Sequence, residues 1–172
     1  MTEEKRYKIV IFGAFGAGKT TLVKTLDPKS CHVEADCAGG TTTVALDFGR
    51  VIMDGNHIHI FGTPGQERFE FAREIIGKGM DGAILVIDVT SPVDDFIHQL
   101  YNSLTSAQIP FVIFLNKCDC IGARPELIEK EFRAAIITKV SAIDRKQSLE
   151  ALCTFAQTLP PHPNGQIGRA HV

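Results

Sequence analysis

The stretch Gly13-Ala14-Phe15-Gly16-Ala17-Gly18-Lys19-Thr20 constrains this chain more than any other. It follows an apolar run, Ile9-Val10-Ile11-Phe12, and precedes a helix-compatible segment, residues 21–26. A G-x-x-x-x-G-K-[S/T] spacing between strand and helix makes a tight turn whose backbone N–H groups converge on a polyphosphate. Glycine allows the backbone to fold that tightly. The helix behind it adds the positive end of its dipole. Gly13, Phe15, Gly16, Ala17 and Gly18 are thus candidates for cradling phosphate, with Thr20 and Thr21 opening the helix. Lys19 brings a flexible point charge to the terminal phosphates. The Thr20 hydroxyl can ligate Mg²⁺, a hard cation that prefers oxygen ligands and keeps several waters. A Gly-rich turn with a chance lysine is the alternative, and the agreement of spacing with both flanks argues against it.

The chain has 172 residues, enough for one domain with a proper core. A formal net charge of −2 removes the electrostatic case for nucleic acid or an anionic membrane. Five cysteines without regular spacing, beside a phosphate loop, favour a reducing, cytoplasmic setting. There is no apolar leader, no glycine at position 2 for myristoylation and no C-terminal prenylation cysteine. No direct membrane anchor is therefore expected.

In order, residues 8–12 read as a buried strand and the first helix runs to about Leu26, where Asp27-Pro28 stops it. Residues 28–42 are polar and read as a mobile loop. Residues 44–53 and 57–61 read as two strands joined by a hairpin at Asp54-Gly55-Asn56. A helix is expected over 67–78, and a strand covered on both faces over 83–88. Ser91-Pro92-x-Asp94 starts the next helix, with serine as the cap and Val93, Phe96, Ile97, Leu100 and Leu104 as its apolar face. A strand over 111–115, a helix over 125–135, a short strand over 136–140 and a helix over 148–158 complete the pattern. Such alternation means βαβ units, an α/β chain with a mostly parallel sheet and one antiparallel edge. Residues 1–159 form the expected domain, and 160–172, Pro-rich and aperiodic, a disordered tail.

Asn116-Lys117-Cys118-Asp119 follows the strand over 111–115. A carboxylate at Asp119 can accept from N1 and the exocyclic N2 of guanine, and adenine offers neither donor. Asn116 is placed to tie this loop to the phosphate loop, and Lys117 to lay its stem along the base. Ser141-Ala142 follows the last strand, where the Ala142 amide can reach the guanine carbonyl.

The order of Gly13–Thr20, Thr43, Thr63-Pro64-Gly65-Gln66-Glu67, Asn116–Asp119 and Ser141-Ala142 resembles the Ras-like small GTPases over nearly the whole chain before the tail. Residues 42–49 and 61–69 look more like the prokaryotic branch, related to Mgl-type and Rab-like GTPases. The resemblance implies a P-loop NTPase with six strands and five flanking helices, GTP and GDP binding with Mg²⁺, and slow hydrolysis. It implies that Thr43 ligates Mg²⁺ and meets the γ-phosphate, with Thr41 and Thr42 as register alternatives. Gly65 would offer its N–H to the γ-phosphate, and Gln66 would orient the attacking water. Catalysis would rest on Gln66 and Lys19. A roadblock- or longin-domain protein is the partner implied by the Mgl-type likeness.

Three departures from the family pattern stand out. Glycine occupies position 62, where the family has the aspartate that holds a Mg²⁺-bound water; Asp47 and Asp36 are candidate substitutes. Phe15 stands where many Ras-like proteins have glycine and is expected to crowd Gln66 or an incoming arginine and so slow turnover. No arginine stands just before the switch threonine; Arg68 reads as a solvated helix-start residue in preference to a role in cis after rearrangement, and a catalytic arginine, if needed, is expected from a partner. Two rivals remain: a P-loop ATPase or kinase, which Asp119 speaks against, and a nucleotide-loaded interaction module with negligible hydrolysis. Cys31, His32, Glu34, Asp36 and Cys37 fit no common zinc spacing. His57 and His59 read as edge-lining histidines, Cys118 and Cys120 as plain thiols, and Asp88 as a strand-end anchor.

Overall fold

The computed structural model describes residues 4–37, 42–63, 74–76 and 78–160. Seven strands form one sheet: β1 (Arg6–Gly13), β2 (Cys31–Cys37), β3 (Thr42–Met53), β4 (Asn56–Gly62), β5 (Gly82–Asp88), β6 (Phe111–Asn116) and β7 (Ile136–Lys139). Their order is β2-β3-β4-β1-β5-β6-β7. The pairs from β4 through β1, β5 and β6 to β7 are parallel, while β2–β3 and β3–β4 are antiparallel. The described helices of seven residues or more are α1 (Lys19–Leu26), α2 (Asp95–Ser106), α3 (Pro125–Glu131) and α4 (Arg145–Thr158). Residues 74–76 are also helical, and the rest of the helix expected over 67–78 lies outside the described residues, apart from a turn at Lys78.

Side chains alternate across the central strands and so build two cores. Ile9 and Ile11, Ile84 and Val86, Val112 and Phe114 face one layer, with Leu22, Val23 and Leu26 of α1 and Leu152, Phe155 and Ala156 of α4. Val10 and Phe12, Leu85 and Ile87, Ile113 and Leu115 face the other, with Ile97, Leu100 and Leu104 of α2 and Ile128 of α3. Both faces being covered explains why β1, β5 and β6 are near-continuous apolar runs.

The fold class is as expected, with one more strand than the six implied. The extra strand is β2, in the stretch expected to be a mobile loop. Its charged and polar residues need no core, because an edge strand is held by ladder hydrogen bonds along β3, from Cys31↔Phe48 to Cys37↔Thr42. The hairpin falls where expected, with Asp54 at φ 50° and Gly55 at φ 77°, the left-handed pair that a tight two-residue turn demands.

Helix ends differ from expectation for local reasons. The start of α2 is capped by Asp94, whose Oδ1 accepts the Ile97 N–H at 3.0 Å, so Ser91 and Pro92 precede the helix. Asp144 caps α4 in the same way through Gln147, starting that helix three residues earlier than the apolar stripe indicated. The last helical residue of α3 is Glu131, because buried Phe132 leaves helical geometry at φ −114°, ψ 51°.

Candidate nucleotide-binding site

The loops after β1, β6 and β7 meet at the carboxyl ends of the parallel strands, the usual site of ligand crevices in such sheets. The turn after β1 reverses tightly through Gly16 (φ 78°) and Gly18 (φ 109°) into α1. At Gly18 a Cβ would lie 2.4 Å from Asn116 Nδ2, so close approach as well as positive φ requires glycine. Lys19 is buried, and its Nζ donates to the Gly13 carbonyl. Phe15 is 79 % exposed, so its ring stands on the surface of the loop.

Asn116 is the junction of the site. Its Nδ2 donates to the Ala17 carbonyl at 2.9 Å, and its Oδ1 accepts the Ala142 N–H at 3.0 Å. One buried amide thus joins the phosphate loop, the β6 loop and the β7 loop. The Ala142 amide expected to face a guanine carbonyl donates to Asn116 in this structure. The Ser141 loop is fixed from α4: the Ser141 N–H donates to Gln147 Oε1 at 2.6 Å, and Ser148 Oγ donates to the Ser141 carbonyl at 3.0 Å.

Lys117, at φ 67°, turns back to the phosphate loop and donates to the Gly16 carbonyl at 2.9 Å. The same Nζ pairs with Asp88 Oδ2 at 2.9 Å. Asp88 also accepts from the Thr90 N–H and hydroxyl. Burial pushes the Asp88 carboxyl up, but the bonds from Thr90 and Lys117 outweigh it and hold the group below the usual carboxylate range. Asp88 is therefore an anchor for Lys117, a partnership that no local motif announces. Asp119 ends the turn exposed, open to a ligand donor. Burial pushes the Cys118 thiol up, which keeps it a thiol rather than a nucleophile.

On the other side of α1, the Thr20 hydroxyl donates to Asp47 Oδ2 at 2.9 Å. Asp47, on β3, is 4 % exposed, and its Oδ1 receives His32 Nδ1 of β2 at 2.8 Å. A threonine hydroxyl beside a buried carboxylate is a hard-oxygen donor set of the kind Mg²⁺ takes. Thr43 lies four residues along β3 from Asp47. It pairs with Asp36, so the segment expected to be a loop up to Thr43 is strand at this end. Gly65, Gln66, Arg68 and Thr41 lie outside the described residues, as do 161–172 of the expected tail. Among the described residues no three Cys, His, Asp or Glu side chains cluster as a metal site. His57 faces Glu4 and His59 sits edge-on to Phe48. No helix among the described residues is long and apolar enough to cross a membrane.

The Elongation factor Tu GTP binding domain family matches residues 4–159. A protein of Methanocaldococcus jannaschii described as uncharacterized is 41% identical over 112 residues, covering 65% of this chain and 70% of that one. The GTP-binding protein yptV5 of Volvox carteri is 31% identical over 156 residues, 82% of this chain and 73% of that protein. Translation initiation factor IF-2 of Mesoplasma florum is 31% identical over 123 residues, which are 72% of this chain but 19% of the factor. Among solved structures, the G domain of the T. maritima FeoB iron transporter superposes with a TM-score of 0.68 at 20% identity, covering 88% of this chain and 98% of that one. Elongation factor SelB from Methanococcus maripaludis, in complex with the GTP analogue GppNHp, gives 0.70 at 20% identity, covering 95% and 36%. These two likenesses bear on the fold alone. With residues 4–159 matched, the chain belongs to the family of elongation factor Tu-type GTP-binding domains, the P-loop GTPases.

Proposed function

We propose that this chain is a guanine-nucleotide switch that hydrolyses GTP slowly and is stimulated by a partner protein. The observation that carries the reading is the double tie between base loop and phosphate loop. Asn116 holds Ala17 and Ala142, and Lys117 holds Gly16, so Asp119 is fixed relative to the phosphate amides. That geometry couples base choice to polyphosphate binding. Lys19 and the loop amides stabilise charge on the phosphates, and Gln66 orients the attacking water. Mg²⁺, held from Thr20, would neutralise β- and γ-phosphate charge. The switch in this reading is order and disorder of two segments, about residues 30–43 and 62–75, held by γ-phosphate and Mg²⁺; for Thr43 to reach the metal, its pairing with Asp36 would have to open. Kinship to the prokaryotic Mgl-type branch, a roadblock- or longin-domain regulator and a cytoplasmic setting belong to this reading as analogy.

The chain as purified is expected to carry guanine nucleotide, read by chromatography of the denatured protein. Adenine nucleotide in its place would sink the reading. The second reading, an interaction module with negligible hydrolysis, is favoured by the glycine at position 62 and by Phe15. Exposed Phe15 has no packing role to lose, so Phe15→Gly tests its effect on chemistry alone. Single-turnover GTP hydrolysis is expected to rise severalfold in Phe15→Gly with an unchanged melting temperature; an equal or slower rate removes crowding as the cause of slow turnover.

A further inference from the structure

Asp47 and Gly62 are directly paired in the β3–β4 ladder. A Cβ built at Gly62 would lie 3.4 Å from Asp47 Cβ and 3.7 Å from Asp47 Oδ2. The Asp47 carboxylate therefore reaches the space that a side chain at position 62 would enter. It does so from the neighbouring strand and while accepting the hydroxyl of Thr20, the first α1 side chain after Lys19. An aspartate is rarely as buried as this one, 4 % exposed, unless its oxygens are matched. Here Thr20 takes one oxygen and His32 the other.

We propose that Asp47 supplies, from β3, the carboxylate that anchors Mg²⁺ on the bound nucleotide, so that the metal-holding acid has been transferred across one rung of the ladder from β4. This rests on the guanine-nucleotide reading above. Asp36, the other candidate acid, pairs with Thr43 farther along the same ladder, whereas Asp47 is the one bonded to Thr20. The bond between Asp47 and His32 ties the metal acid to the edge strand, so loss of β2 pairing would free one carboxylate oxygen. A purely structural carboxylate pinning β2 to β3 is the competing account, and it makes a different prediction.

The test is release of a fluorescent GDP analogue from the full chain, followed across Mg²⁺ concentrations and in EDTA. In Asp47→Asn, which keeps the shape, the Mg²⁺ concentration that half-slows release is expected to rise by about 10–100-fold. Release in EDTA should stay near the wild-type rate. The exchanged double variant, Asp47→Gly with Gly62→Asp, should recover most of the Mg²⁺ dependence, once Val23 Cγ2, 3.0 Å from the new Cβ, gives by a few tenths of an ångström. Mn²⁺ titration followed by electron paramagnetic resonance gives a second readout of metal affinity. Folded Asp47→Asn with unaltered Mg²⁺ dependence would overturn the proposal. So would faster release by the same factor with and without Mg²⁺, which is the signature of a structural role. If the single variant does not fold, the exchanged one decides: retained Mg²⁺ dependence supports the transfer, and its loss in a folded protein refutes it. A wild-type chain that holds no guanine nucleotide even in excess Mg²⁺ fails at the parent reading, and that failure is visible before any variant is made.

Discussion

Asp119→Ala is expected to abolish the preference for GTP over ATP while leaving the fold intact. The carboxylate ends the β6 loop in the open, where among the described residues its hydrogen-bond partner is the Cys120 thiol at a long 3.9 Å. Removing it strips nothing from the core, so the melting temperature should hold. Guanine would give it two donors, N1–H and the exocyclic amine, and hydrogen bonds to a charged group are worth about 1.5–3 kcal/mol each. Together they set a loss of GTP affinity on the order of 10²–10⁴-fold. Inosine triphosphate keeps N1–H but lacks the exocyclic amine, so it should fall between GTP and ATP for the wild type. In Asp119→Ala the three should bind within a few-fold of one another. Competition calorimetry reads the whole ladder. An unaltered GTP preference in the variant would mean that another group selects the base.

How much of this was legible in the sequence follows from where the information sits. The phosphate loop is local: glycine spacing, Lys19 and Thr20 are contiguous, and the apolar run of β1 leads straight into them. The base loop is local too, following β6. The strands β5 and β6 betray themselves by unbroken apolarity because both faces are covered. The edge strand β2 does not, since of Cys31 to Glu34 Val33 alone packs against the core and the strand is held by backbone pairing. A polar stretch that makes an edge strand looks like a polar stretch that makes a loop. Missing β2 hid the bond from His32 to Asp47, which exists only because the two are register partners. The pairing of Asp47 with Gly62 was hidden for the same reason. A sequence shows that an acid is missing at 62; only the ladder shows which acid stands beside the gap. Helix starts failed more gently: Ser91-Pro92 and Asp94 are both good starts, and the chain uses Asp94. Lys117 with Asp88 joins two loops almost thirty positions apart, and no spacing rule reaches that far.

Asn116→Ala is expected to damage both stability and binding, in contrast to its neighbour three residues on. Asn116 is 6 % exposed and uses donor and acceptor at once, toward Ala17 O and Ala142 N–H. Both partners belong to residues at most 3 % exposed, so water cannot readily replace the lost amide. An unsatisfied buried backbone group costs about 1–3 kcal/mol, and here there are two. For a domain of this size each kcal/mol lowers the melting temperature by about 2–4 °C, so a fall of at least about 4 °C is expected. Binding should weaken as well, because the phosphate loop is no longer registered against the base loop. Asn116→Asp refines the test. It keeps an oxygen for the Ala142 N–H but sets a second oxygen against the Ala17 carbonyl, replacing an attraction by a repulsion. If bond count alone mattered, Asp would be milder than Ala; if the Ala17 tie carries the coupling, Asp should match or exceed Ala in lost nucleotide affinity. Thermal melts without nucleotide, paired with GDP titrations, separate the two. A variant with wild-type melting and wild-type affinity would show that the three loops hold their arrangement without Asn116, and the coupling of base choice to phosphate binding would need another carrier.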